Sequence, residues 1–278
     1  MKGFKELEFD LPNALLADLV QLFEGMKPQA LTAANAAKIP NGQGVYQLFL
    51  DRRLVYVGKT DAKAGLSDRL VRHAKKITSR LTLDSTKVTF KAVRIYVFTA
   101  MDLERALIDY YSRDDDDVEK IKVKARLEAK LEAKSKVGAK PKSKLAWNNS
   151  GFGANDPGRK RDQTVLKKSH FDISYPIDLD VSVTIVKERP NTAAGILSQM
   201  RAQLPYKLRF AADASSPKLP HRELEETRIP GAVGTLSVRQ VLSKVARALG
   251  TKWQITALPG YVIVYRERKK YAHGIRIS

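Results

Sequence analysis

The sequence predicts an α+β protein: a small antiparallel sheet flanked by helices, followed by a second small α+β domain at the carboxyl end. Three observations lead there. Between Leu11 and Tyr111 the hydrophobic period changes from that of a helix to that of strands and back. At 278 residues the chain is long enough for two domains that each bury a core. A charged stretch at 113–144 interrupts the pattern before a second alternation of strands and helices begins near Tyr175. The expected division is an amino-terminal helical segment at 1–39, a first α+β domain at 40–175 that carries the charged insertion, and a second at 176–278.

Leu11, Leu15, Leu16, Leu19, Val20, Leu22 and Phe23 recur at helical spacing, with Asp10 as a cap and Gly25 as the stop. Thr32 to Lys38 adds a short turn of helix before the Pro40-Asn41-Gly42 break. Gly44 to Leu50 and Leu54 to Gly58 are apolar, β-branched or aromatic; the polar Asp51-Arg52-Arg53 between them makes a hairpin with Tyr46 and Tyr56 on neighbouring strands. Leu66 to Ile77 is helical, with Leu66, Leu70 and Ile77 on one side and Asp68, Arg69, Arg72, His73, Lys75 and Lys76 at polar positions. Val88 to Phe98 is a longer strand, and Met101 to Tyr111 a helix. In the insertion, an acidic run at Asp114 to Asp117 precedes an Ala-, Glu-, Lys- and Leu-rich stretch of high helix propensity with few large apolar residues to dock it.

Past Tyr175 the order is strand (Val181 to Val186), helix (Thr192 to Gln203), strand (Tyr206 to Ala211), helix (Ser237 to Leu249) and a hairpin from Trp253 to Tyr265. Thr235 or Ser237 can cap the later helix, Gly250 ends it, and Pro259-Gly260 supplies the hairpin turn. This arrangement resembles the short βαβ-type domains at the amino ends of secretins and TonB receptors; no function is taken from that likeness.

With 50 Lys and Arg against 30 Asp and Glu, the formal net charge is +20, so a polyanionic partner is the first to test, nucleic acid ahead of others. No stretch approaches the roughly 20 continuous apolar residues of a membrane helix, and Met1 to Phe9 mixes charges where a signal would be apolar. The expectation is a cytoplasmic protein without a membrane partner. Absence of cysteine excludes disulfides, thiolate metal sites and a thiol nucleophile. The four histidines, at 73, 170, 221 and 273, are not spaced as a helical ligand pair, so a hard cation on oxygen ligands fits better than zinc.

Taken singly, Gly44-Val45-Tyr46 and Tyr56-Val57-Gly58 are ordinary hairpin tyrosines. The helix that follows changes their weight, because Arg69 and His73 stand at i and i+4 and project together. Glu104 lies in the first turn of the next predicted helix, where the dipole favours a carboxylate. Trp147-Asn148-Asn149-Ser150-Gly151-Phe152-Gly153 supplies an amide beyond the insertion.

The ordered set Gly-Val-Tyr, Tyr-Val-Gly-Lys, Arg-x-x-x-His, Glu and Asn resembles the GIY-YIG nuclease superfamily over about residues 40 to 175. Trp147 to Gly153 and then Asn155-Asp156-Pro157-Gly158-Arg159-Lys160-Arg161-Asp162 resemble its type II restriction endonuclease branch. The resemblance implies Tyr46 and Tyr56 at the reacting phosphate, Arg69 as charge stabiliser, His73 as a proton-handling neighbour, Glu104 as ligand for Mg²⁺ or Mn²⁺, and Asn148 as an orienting group. Lys59, directly after the second motif, is a further candidate. The insertion between Glu104 and Trp147 is a departure in spacing.

This set has a candidate for each need of phosphodiester hydrolysis: activated water, neutralised oxygens and help for the departing alkoxide. Tyr46 could take the water's proton if its surroundings favour phenolate, since an unperturbed tyrosine has a pKa near ~10; Tyr46 and His73 both stand as the immediate base. The expected function is sequence-specific cleavage of double-stranded DNA by a homodimer on a palindromic site, with a companion DNA methyltransferase in the same system. The same module also serves repair, recombination and mobile elements. A nonenzymatic nucleic-acid binder that keeps the scaffold is the contrasting class. Arg159, Lys160 and Arg161 are expected to contact DNA outside the pocket, and Tyr261 to Tyr265 are available either to a dimer contact or to a core.

Overall fold

The computed structural model describes residues 11–60, 63–96, 107–108, 110–112, 145–154, 158–187 and 191–277. Glu104, most of the predicted helix from Met101, the insertion at 113–144 and the Asp10 cap lie outside them. The chain mixes helices with mainly antiparallel sheets in two compact units, Met1–Ala74 with Ser85–Gly153, and Lys75–Asp84 with Ala154–Ser278. Residues 154–175, grouped by sequence with the first domain, thus belong to the second unit.

The first unit opens with α1 (Leu11–Gly25), a two-residue strand β1 (Gln29–Ala30) and α2 (Ala33–Ala37), whose amino end is capped by Thr32 accepting from Asn35 N. Then come β2 (Gly44–Leu50), β3 (Arg53–Thr60), α3 (Leu66–Ile77) and β4 (Val88–Arg94). The sheet order is β1-β4-β2-β3, all antiparallel, so β2 is central. The unforeseen β1 ties the amino-terminal segment into this sheet by pairing with Thr89 and Phe90.

Side chains alternate across β2 and β3. Val45 and Val57 point to one face, packed with Leu19, Val20 and Phe23 of α1 and with Leu107 and Leu145. Tyr46, Leu48, Tyr56 and Gly58 share the other face. The hairpin turns on only Asp51 and Arg52, both at positive φ (49° and 67°), the backbone a two-residue turn needs to match strand twist. Leu66 and Leu70 of α3 are fully buried, and His73, a polar position of the helix, joins that stripe at 3% exposure. The steps of four and three from Leu66 through Leu70 to His73 keep all three on one face.

The second unit contains α4 (Phe171–Ser174), β5 (Ser182–Ile185), α5 (Ala193–Gln203), β6 (Lys207–Phe210), α6 (Arg222–Glu226), β7 (Gly234–Ser237), α7 (Val238–Leu249), β8 (Gln254–Leu258), β9 (Tyr261–Tyr265) and β10 (Ile275–Arg276). One sheet runs β10-β8-β9-β6, with β6 parallel to β9; β5 and β7 form a separate antiparallel pair. Ser237 and Gln240 close a capping box on α7. Apolar faces of α5 and α7 meet Val262, Val264 and Ile255 in the main core, while Tyr261, Ile263 and Tyr265 pack on the opposite sheet face with Leu258 and Tyr271. All of β9 is buried, so its apolar residues serve core packing within the unit. No helix among the described residues is long and apolar enough to cross a membrane.

Candidate active site

The paired motifs have a steric explanation. Tyr46 stands directly opposite Gly58 in the hairpin, and a β-carbon on Gly58 would lie 2.5 Å from the Tyr46 hydroxyl. Glycine at that position makes the room in which the phenol lies against the strand. The Tyr46 and Tyr56 ring centres are 6.0 Å apart, and both face α3.

From α3, His73 brings its Nε2 to 2.7 Å from the Tyr46 hydroxyl, and Arg69 Nε donates to the same oxygen at 3.4 Å. The i, i+4 spacing thus converges on one atom. Tyr46 is wholly buried, Tyr56 and His73 nearly so, and Arg69 is the member of the cluster that reaches the surface. Burial, and then the neighbouring Tyr56, push the Tyr46 phenol well above its ordinary pKa, against the pull of Arg69. Tyr46 is therefore a neutral hydrogen-bonding phenol at physiological pH, and the phenolate considered from sequence is disfavoured by its surroundings.

Arg69 also donates from Nη2 to the Gly153 carbonyl at 2.8 Å. Among the described residues no carboxylate pairs with it, and the half-buried guanidinium bonds there to the oxygens of Tyr46 and Gly153. The arrangement is selective for an anion, and a guanidinium fork suits phosphate or carboxylate oxygens.

Asn148 belongs to this unit but faces the strand. Its Oδ1 accepts from Val57 N and its Nδ2 donates to Val57 O, each at 2.9 Å, while Trp147 N donates to Val55 O at 2.9 Å. The amide thereby acts as a short extra rung on β3. The same loop then places Phe152 flat on His73, with ring centres 4.6 Å apart and planes 15° apart, and edge-on to Tyr56 at 5.1 Å. A β-carbon on Gly153 would come within 2.1 Å of the Tyr56 hydroxyl. Phe152 and Gly153 close the Trp147–Gly153 motif, and their one sequence signal is an aromatic-glycine pair at its end.

Lys59 is not brought into the cluster. It pairs with Val45, which puts it on the strand face opposite Tyr46 and Tyr56. Glu104 lies outside the described residues. Among those residues no three His, Asp or Glu side chains gather to hold a metal, and the Tyr46, Tyr56, Arg69, His73 and Asn148 set offers a cation no carboxylate. These residues do not by themselves fit a Mg²⁺ site.

The three basic residues called from sequence for DNA contact lie in the second unit and divide between two environments. Arg159 and Lys160 are exposed. Arg161 turns inward to ion-pair with Asp172, which also holds Arg80 Nη1 at 3.1 Å; the Arg80 and Asp172 side chains are 2% and 1% exposed. Arg161 therefore neutralises a buried carboxylate. No family model matches this chain, and no curated protein does.

Proposed function

We propose that the chain is a metal-dependent DNA endonuclease of the GIY-YIG kind, acting as a type II restriction enzyme. The observation that carries the reading is Arg69: a half-buried cation without a carboxylate partner among the described residues, bonded to a phenol that is itself hydrogen-bonded to an imidazole. That combination supplies a receptor for phosphate charge beside a route for a proton.

Arg69 meets the non-bridging oxygens of the scissile phosphate and gains strength as charge develops on them. In the tautomer that carries its proton on Nδ1, His73 accepts from Tyr46 through Nε2; a proton taken up at the Tyr46 oxygen from the attacking water is matched by one passed to His73. Meanwhile the water oxygen bonds to phosphorus, the phosphorus bond to the departing sugar oxygen breaks, and that alkoxide takes a proton from solvent. This concerted transfer requires no free phenolate, in keeping with the raised pKa of Tyr46. Phe152 fixes the imidazole plane and the Gly153 carbonyl fixes the guanidinium. The reading assigns Mg²⁺ or Mn²⁺ to Glu104, where one carboxylate suits a single ion.

A homodimer on a palindromic site would set one such cluster on each strand. The test is digestion of a sequenced plasmid followed by reading of the fragment ends. Discrete fragments with a common end sequence are expected. A smear, or cutting confined to branched DNA, would replace restriction with nonspecific or repair cleavage. Glu104→Ala is expected to abolish cleavage while binding persists, and normal cleavage by that variant would remove Glu104 from the centre.

A further inference from the structure

Two basic stretches of the second unit, about a hundred residues apart in sequence, are folded alongside each other. Residues 158–170 lie against 261–273 at several points. Arg159 Nη2 is 3.3 Å from Glu267 Oε2 and its guanidinium is 4.3 Å from the Tyr265 ring centre. Leu166 N donates to His273 Nε2 at 3.0 Å, and the Tyr261 hydroxyl donates to Asp162 at 2.7 Å.

The two signs of charge are sorted by this packing. Asp162 is buried and taken up by Arg209 at 2.5 Å and by Tyr261. Glu267, with a side chain 13% exposed, is engaged by Arg159, Lys269 and Tyr271. Both carboxylates of these stretches thus face inward, as does Arg161. Lys160, Lys167, Lys168 and Lys270 remain outward, exposed and without an ion-pair partner among the described residues. Arg159 and Arg268 stand exposed among them.

We infer that this composite patch is a docking surface for the phosphate backbone of duplex DNA, which it grips without reading sequence. Flexible lysines around an arginine held over an aromatic ring suit a row of phosphates, whose neutralisation releases counterions. An anionic bilayer is the poorer match. The aromatic rings of this face are turned in, with Tyr261, Tyr265 and Tyr271 at 4%, 5% and 8% exposure, and Val165 is the one large apolar side chain of residues 158–170 in the open. Membrane anchoring needs a broad apolar face beside the charge.

The inference rests on the nucleic-acid partner of the proposed function but not on its chemistry. Its test is accordingly run on the full chain in EDTA. Fluorescence anisotropy with a duplex of arbitrary sequence is measured across a salt series for the wild type and for K160A/K167A/K168A/K270A. The variant is expected to bind roughly tenfold or more weakly, with the slope of log K against log salt reduced by about 3 to 4, as for loss of four phosphate contacts. The corresponding four-Arg variant should retain both affinity and slope. Unchanged affinity and slope in the alanine variant overturn the inference, as does unchanged duplex binding with loss of binding to phosphatidylserine vesicles. A wild type that binds duplex through this patch yet never cuts it refutes the endonuclease reading and leaves the patch standing.

Discussion

In the first unit the buried Tyr46 and His73 share a hydrogen bond with no carboxylate joining them among the described residues, whereas in the second the buried carboxylates Asp162 and Asp172 are matched to guanidinium groups. Tyr46 and His73 sit against one cation, Arg69, which is answered by a phenol and a carbonyl. In the second unit Asp172 is closed in by Arg80 and Arg161, and Asp162 by Arg209 and Tyr261. Buried ion pairs of the second sort seldom add net stability, but removing one partner is expensive. They hold loops and sheet together. The first arrangement leaves charge to spend on something that arrives from outside.

The largest effect is expected at Asp172. Asp172→Ala strands two guanidinium groups in an interior without a counter-ion, and a loss of about 3–5 kcal/mol is expected, read as a lowered urea midpoint with Trp253 fluorescence reporting on the second unit. An unmoved midpoint would show that the ion cluster is not a structural element. Arg69→Ala should do the reverse: turnover falls by about a hundred- to a thousandfold, as when a developing charge loses its donor, with the urea midpoint almost unchanged. Arg69→Lys should recover only part of the rate, because a point charge cannot make two parallel bonds to phosphate; full recovery would deny the fork a role.

Tyr46→Phe falls between these. It removes one hydroxyl and leaves the buried His73 Nε2 without that partner, at a cost of about 1–3 kcal/mol. Its turnover should fall as well, and a variant stable and active as the wild type would make the 2.7 Å bond incidental.

The smallest effect expected is a pH dependence in the second unit. His170 caps α4 by accepting from Asp172 N, and its pKa is lowered, first by burial and then by Arg161, Lys76 and Arg80, with Asp172 opposing. A histidine of depressed folded pKa binds its proton more readily when unfolded. Its contribution is therefore complete above the unfolded value of about 6.5 and declines as pH falls from there through the lower folded value. Urea midpoints of His170→Asn, which can still cap, should lose that part of the slope; an identical pH profile would assign the slope elsewhere.

Much of the fold was legible because its patterns are local. The β2–β3 hairpin, α3 and the alternation of the second unit follow from period and caps: Thr192 and Ser237 cap the helices they were expected to begin. Local pattern says less about partners distant in sequence. Nothing in Gln29–Ala30 announces a strand, since its pairing is set by β4 some sixty residues on. Asp51 and Arg52 at positive φ are imposed by a tight hairpin, not by their own preferences. Arg161 read as a DNA contact because it sits in a basic run, and only folding brings Asp172 to it. Within the site, residue types and spacing identified Tyr46, Tyr56, Arg69 and His73, which do meet. The facing of Lys59 and the stacking of Phe152 depend on strand register and loop path, neither of which is written in the motif itself.

If the Arg69 cluster hydrolyses DNA phosphodiesters, supercoiled plasmid incubated with the wild type and with Arg69→Ala, each with Mg²⁺ and with EDTA, should yield nicked and linear products from the wild type with Mg²⁺ alone, and little or none from the variant although it still binds the plasmid. Intact plasmid under every condition, or equal cutting by both proteins, would contradict this assignment.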